Sequence, residues 1–239
     1  MARNWERRRP PWLATGFTFN HGDTRDLGYL QKVPTFNGNG NQSGGTYRTN
    51  TTDGNSQSED YMIVGDDAVF TPNDGAGNDL PFSIGIWFNV SMFSGSSSNF
   101  IFAKRDYATS KHEYQCALTS AGEIYIILWG GNSTSKRIQV LTDSLSLTAP
   151  TGWIHLVVTY DGSETSAGLK IYIDGGLASV TENSVGSYTG VTNTSTPLVF
   201  GGWIDSVTRS IVGDWDQPFF ATKELSANEI ATIYQQGRR

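Results

Sequence analysis

Residues Gly152–Gly176 read GWIHLVVTYDGSETSAGLKIYIDGG, and this stretch decides the class of the fold. From Trp153 to Tyr160 the residues alternate: Trp153, His155, Val157 and Thr159 belong to one face, and Ile154, Leu156, Val158 and Tyr160 to the other. From Leu169 to Asp174, Leu169, Ile171 and Ile173 alternate with Lys170, Tyr172 and Asp174. Such alternation of β-branched and aromatic residues predicts strands, because successive side chains of an extended chain point to opposite faces. The link Asp161–Gly168 is polar, holds two glycines and reads as a hairpin loop. Asp174-Gly175-Gly176 closes the second strand with a tight turn that needs positive φ. Leu177–Thr181 adds a third short strand, so the unit is a three-strand antiparallel meander.

Outward from the meander the same rhythm continues. Strand patterns fall at Asp60–Val64, Phe100–Lys104, Glu113–Leu118, Glu123–Trp129 and Arg137–Leu141. Between Phe82 and Val90, the residues Phe82, Ile84, Ile86, Phe88 and Val90 make one apolar face. The turns Ser120-Ala121-Gly122 and Gly130-Gly131-Asn132 fit a sandwich of short strands. Pro218 interrupts the late strand Gly213–Phe220 and predicts an edge position or a bulge. Ser226 and Glu229 have capping-box spacing, and Ile230, Ile233 and Tyr234 form the apolar face of a short helix.

Several of these residues carry a family pattern: Asp60-Tyr61, then Phe82-Ser83-Ile84 ahead of Trp87, then Trp153, His155 and Tyr160-Asp161-Gly162, then Leu169 through Gly175. The ending has Gly213 and Asp216, followed by Leu225-Ser226, Glu229-Ile230 and Tyr234. Together they resemble a laminin-G-like or pentraxin-like domain of the concanavalin A-like lectin/glucanase superfamily, over roughly Glu59 to Gln236. The resemblance implies an all-β fold, an antiparallel two-sheet jelly-roll sandwich, here with a short C-terminal helix and an extended N-terminal arm. It divides the chain into 1–58, an arm and polar loop segment, and 59–239, the jelly-roll domain.

Composition bounds the function. Across 239 residues, 17 Lys and Arg face 23 Asp and Glu, a formal charge of -6 that argues against general nucleic-acid binding. No apolar stretch is long enough to span a bilayer. The one cysteine, Cys116, excludes an intrachain disulfide. Met1 is followed by charge rather than an apolar run, so synthesis in a cytoplasm without a secretory leader is expected.

The glucanases of the superfamily place paired acids on one strand, and no such run occurs here, so the chain is read as no enzyme. His21, His112 and His155 lack metal spacing, and His155 is read as a structural residue. Calcium needs several closely spaced oxygen ligands, and the resemblance allows it at loop ends, where Asp74, Asn78 and Asp79 are the ligand set chosen. Trp129 and Trp203 adjoin glycine turns and are expected to be exposed platforms for sugar. The segment MARNWERRRPPWL offers Trp5, Arg7, Arg8, Arg9 and Trp12 as docking residues, since Trp and Arg are enriched at binding hot spots; the alternative is that the arm folds back on its own domain. Two functions follow. One is a structural subunit of a phage virion, set on the head or tail surface, held to capsid or tail proteins by its arm and made in a bacterial cytoplasm, with self-association expected. The other is a lectin reading host-surface glycans, with calcium as its cofactor.

Overall fold

The computed structural model describes residues 11–20, 23–26, 28, 30–38, 41–43, 46–48, 60–93, 98–204 and 210–237. The strands are β1 (Leu13–Asn20), β2 (Asp23–Asp26), β3 (Thr35–Asn37), β4 (Asn41–Ser43), β5 (Thr46–Arg48), β6 (Tyr61–Gly65), β7 (Phe82–Met92), β8 (Ser98–Asp106) and β9 (Lys111–Thr119). They continue as β10 (Ile124–Trp129), β11 (Arg137–Thr142), β12 (Ile154–Tyr160), β13 (Leu169–Ile173), β14 (Gly176–Leu177), β15 (Val180–Glu182), β16 (Leu198–Phe200) and β17 (Val212–Ala221), before helix α1 (Ala227–Gly237). The front sheet follows the order β14-β13-β12-β7-β17-β1-β2, with β5 also on β17 and β4 on β5. The back sheet runs β15-β11-β10-β9-β8-β16-β6-β3. Every pair of named strands is antiparallel.

The meander sits in the front sheet. β12 lies between β7 and β13, with His155 opposite Trp87 and Leu156 opposite both Ile86 and Ile173. Ile154, Leu156, Val158 and Tyr160 enter the core between the sheets, as the alternation predicts. There they meet Phe82, Ile84, Ile86, Phe88 and Val90 of β7 and the inward residues of β9 and β10. The Phe82 ring lies 5.7 Å from Tyr114, 5.8 Å from Tyr160 and 5.7 Å from Phe220. Each such buried side chain contributes about 1.5–3 kcal/mol of transfer free energy. The predicted third strand is shared between the sheets: Gly176–Leu177 stays on β13, while Val180–Glu182 crosses to β11.

The boundary at residue 59 needs correction. β1 pairs with β17 from Leu13 opposite Ala221 to Gly16 opposite Phe219, and β3 pairs with β6. Ala14 and Phe17 are fully buried in the main core. A register shift between Leu13 and Thr15 breaks the alternation and hides this strand from periodicity. The chain then returns so closely that a Cβ on Gly28 would lie 2.3 Å from the Ala14 carbonyl oxygen. Pro218 falls inside a second register shift, between Asp216 and Phe219, with Gln217 at φ 51°. β17 is an interior strand, so of the two readings of Pro218 the bulge holds. At α1, Ser226 N donates to Glu229 Oε2 at 2.9 Å and Glu229 N donates to Ser226 Oγ at 3.4 Å, which is the reciprocal cap expected from the spacing. Ile230 packs with Val157, Tyr172, Phe219 and Leu225 on the outer face of the front sheet.

One polar interaction lies deep in the sandwich. Between Lys104 opposite Tyr114 and Arg105 opposite His112, Glu113 is the extra residue of a bulge in β9. It turns inward, fully buried, with its Oε1 2.8 Å from the buried Lys104 Nζ. Lys104 Nζ also meets Asp66 Oδ1 at 2.9 Å and donates to the carbonyls of Thr196 and Thr194 at 2.7 and 3.3 Å. Glu113 accepts from Thr194 N at 2.7 Å, Thr194 Oγ1 at 2.6 Å and Thr71 Oγ1 at 2.7 Å. Burial pushes the Glu113 carboxyl up, against the pull of Lys104. Removing one partner of such a pair leaves an uncompensated buried charge. Glu113→Ala is therefore expected to cost about 3–5 kcal/mol in urea unfolding. The double variant Lys104→Met/Glu113→Leu, which buries no charge, is expected to recover most of that loss.

Candidate functional site

Two hairpin turns stand side by side at one end of the back sheet: 107–110 joins β8 to β9, and 130–136 joins β10 to β11. In the first, Ser110 N donates to the Tyr107 carbonyl at 3.2 Å, and the Asp106 carboxylate accepts from Thr109 N at 3.1 Å and from its hydroxyl. In the second, Gly130 N donates to the Lys136 carbonyl at 2.8 Å, and Gly131 and Asn132 take positive φ. Asn132 Oδ1 accepts from His112 N at 2.6 Å and ties the two turns together.

Above these turns, Arg105 organises four rings. Its guanidinium carbon lies 4.7 Å from the Trp129 ring centre, 4.9 Å from Trp203 and 5.2 Å from Tyr107. Nε donates to His112 Nδ1 at 3.1 Å, and Nη1 donates to Gln115 Oε1 at 2.6 Å. Accepting at Nδ1 requires that nitrogen to be unprotonated, and burial followed by the Arg105 charge holds the His112 pKa below its usual range. Phe100 stacks on Trp203 at 4.5 Å, and Tyr107 stacks at 6.1 Å. Cation–π contacts of this kind are worth about 0.5–2 kcal/mol each. Tyr107 remains 65% exposed. The outcome is a rigid aromatic and cationic shelf that presents one tyrosine ring to solvent.

Trp129 and Trp203, chosen separately from their glycine turns, thus meet on one guanidinium. Trp129 is only 3% exposed, which corrects the expectation of an open platform; Arg105 and His112 cover it. Trp203 is half-buried. Arg105, Tyr107 and His112 were not singled out by sequence. The only signal was an arginine two residues before an aromatic at a turn, which local patterning does not separate from an ordinary hairpin.

The proposed calcium ligands do not form one oxygen cage. Asp74 Oδ1 accepts from Ala76 N at 2.7 Å and Asn78 N at 3.0 Å, and Oδ2 accepts from Asn78 Nδ2 at 2.7 Å. These bonds, that of the Asn78 side chain foremost, hold the Asp74 pKa below the ordinary value. Asp79 turns inward: Oδ2 accepts from Tyr160 and Tyr188 hydroxyls at 2.9 and 2.6 Å, and Oδ1 from Val191 N at 2.8 Å. Burial raises its pKa. Among the described residues, no three His, Cys, Asp or Glu side chains gather to hold a metal. These residues therefore do not fit calcium.

Trp5, Arg7, Arg8 and Arg9 lie outside the described residues. Trp12 is described and packs on its own domain: its carbonyl accepts from Thr222 N at 2.9 Å, and Lys223 Nζ lies 5.4 Å from its ring centre. With Leu13, Trp87, His155, Gln217 and Ile233 among its neighbours, it lines a cavity of about 40 Å³ beneath α1. His155, 1% exposed, meets Trp87 at 4.8 Å with its ring tilted and stacks on Tyr234 at 5.9 Å, the three rings forming one cluster. Its Nδ1 has no partner, and burial lowers its pKa to about 4. Unfolded, the same group titrates near 6.5. The unfolded chain therefore binds the proton first, and stability falls as pH drops from about 6.5 to about 4, by about 3 kcal/mol in all. His155→Phe, which keeps the stack and removes the titration, is expected to flatten that part of the pH–stability profile in chemical denaturation.

The family model described as "Concanavalin A-like lectin/glucanases superfamily", of laminin-G type, matches residues 63–231. No curated protein matches the chain. Among solved structures, the binding domain of botulinum neurotoxin serotype D superposes with TM-score 0.67 at 15% identity, over 95% of this chain and 52% of that one. The ligand binding domain of the same serotype, in complex with N-acetylneuraminic acid, gives 0.66 at 16% identity, over 95% and 51%. The binding domain of Paraclostridial Mosquitocidal Protein 1 gives 0.64 at 15% identity, over 93% and 52%. The chain spans about half the length of these structures, and identities this low establish likeness of fold alone.

Proposed function

We propose that this chain, which belongs to the laminin-G-like family of the concanavalin A-like lectin/glucanases superfamily, is a carbohydrate-binding, lectin-like module without enzymatic activity. The observation that carries the reading is the shelf at Tyr107. A sugar ring has an apolar C–H face and a polar rim, and an aromatic ring fixed beside hydrogen-bonding groups suits both. Tyr107 supplies the exposed ring, and Arg105, Trp203 and the turn hold it in place. Pre-organisation of this kind reduces the ordering cost of binding. The fold adds support: one of the structures of like fold holds N-acetylneuraminic acid. The lack of a paired-acid strand supports the non-enzymatic reading.

The virion role draws no support from the family or from the solved structures. Of the docking residues expected to serve it, the described one, Trp12, lies on the chain's own sheet.

Tyr107→Ala is expected to weaken binding to glycans identified on an oligosaccharide array by about tenfold or more, roughly 1.4 kcal/mol, as read by titration calorimetry. Because the ring is largely exposed, the same variant is expected to lose only about 0.5–1 kcal/mol of its contacts to Arg105 and Trp203 and to unfold within a few degrees of wild type. Unchanged affinity would overturn the assignment of the site.

A further inference from the structure

Among the described residues, the lysines at this end of the sheet are paired unlike the others. The chain is acidic overall, with a formal charge of -6 and six lysines. Four of them meet carboxylates: Lys32 with Asp67, Lys104 with Asp66 and Glu113, Lys170 with Glu224, and Lys223 with Glu229. The other two, Lys111 and Lys136, flank the two turns of the shelf, and among the described residues neither has a carboxylate within 4.0 Å. Lys111 Nζ meets the neutral Ser195 Oγ at 2.8 Å. Arg137, opposite Trp129 in the ladder, likewise has neutral partners, Gln139 Oε1 at 3.2 Å and the Thr134 carbonyl at 3.4 Å. Of the nearby acids, Asp106, opposite Lys111, accepts from Thr109 and also feels the Lys111 charge, while Asp66 and Glu113 hold Lys104. Among the described residues, Lys136 and Arg137 therefore flank the shelf with no carboxylate partner, and Lys111 shares only the charge of Asp106.

We infer, resting on the carbohydrate reading above, that the ligand of this site is an anionic oligosaccharide. Its carboxylate or sulfate groups meet Lys111, Lys136 and Arg137 while a sugar face lies on Tyr107. Exposed cations attract anions over about one Debye length, about 8 Å at 0.15 M salt, and lose that pull as salt rises. Charge-assisted bonds to carboxylate or sulfate are shorter and stronger than neutral ones. The aromatic ring distinguishes this surface from a plain cationic patch, since it rewards a sugar face as well as charge.

The experiment uses the full chain and three probes: a sulfated, uronate-containing oligosaccharide, its desulfated and carboxyl-reduced counterpart, and a single-stranded DNA oligomer of equal charge. Affinities are measured at about 0.05 and about 0.3 M NaCl. The variants are the triple Lys111→Gln/Lys136→Gln/Arg137→Gln, Tyr107→Ala, and Lys170→Gln as a cation control distant in the fold. The expected result is that the anionic sugar binds at least about tenfold tighter than its neutral counterpart, with the gap closing at high salt or in the triple variant. Tyr107→Ala weakens both sugars, and Lys170→Gln changes neither. If the neutral sugar binds as well as the anionic one and the triple variant is silent, the anionic assignment falls and the carbohydrate reading stands. Equal affinity for the DNA oligomer would overturn a sugar-specific site in favour of charge alone. If none of the probes binds and array screening finds no other glycan, both readings fail.

Discussion

A lysine and a glutamate buried against each other on neighbouring strands of the back sheet form the constraint on which this sandwich depends. Each charge would be intolerable alone, so Lys104 and Glu113 must be satisfied by every polar group in reach. The groups recruited come from distant parts of the chain: Asp66 and Thr71 from the connection after β6, and Thr194 and Thr196 from the connection before β16. One ion pair thereby fixes two long loops against the end of the back sheet. The bulge that turns Glu113 inward also leaves Arg105 and His112 on the outer face. Core and surface site thus share one backbone irregularity.

The opposite face of the molecule obeys a different rule. The front sheet is covered by α1 and by Trp12, with a mainly apolar contact built from Leu13, Val157, Tyr172, Phe219, Leu225 and Ile230. His155 and Trp87 are polar-tipped rings inserted in that contact, and the unpartnered Nδ1 of His155 is its weak point under acid. The first and last described segments close over the same sheet, since Thr222 N donates to the Trp12 carbonyl. The N-terminal strand is therefore part of the domain rather than an appendage to it.

The shelf is held from several sides. Asp106 fixes the turn, Asn132 links it to its neighbour, and Arg105 holds Tyr107, Trp129 and Trp203 at cation–π distance. Tyr107 is the ring most open to solvent, and Lys111, Lys136 and Arg137 flank the two turns beneath it. In an acidic protein such a surface is locally distinctive, and it is formed by residues distant in sequence.

The sequence by itself determined the β class, the central meander and the capped C-terminal helix, because each is written in neighbouring residues as a period, a turn signal or a cap; at Pro218 it left an edge and a bulge open, and the interior place of β17 decided for the bulge. It also carried the family pattern, which spans the same local elements. It did not reveal β1, whose alternation is broken at Leu13 and Thr15, nor the inward turn of Glu113, which breaks the period of β9. Trp129 and Trp203 were legible as candidates but not as one cluster, and nothing local showed that Trp129 is covered. Asp79 looked like a loop ligand, yet Tyr160, Tyr188 and Val191, each more than eighty residues away, turn it into an internal fastening. These outcomes belong to the tertiary structure because burial and pairing across strands are settled only when distant segments meet, and bulges decide which face a side chain takes when they do.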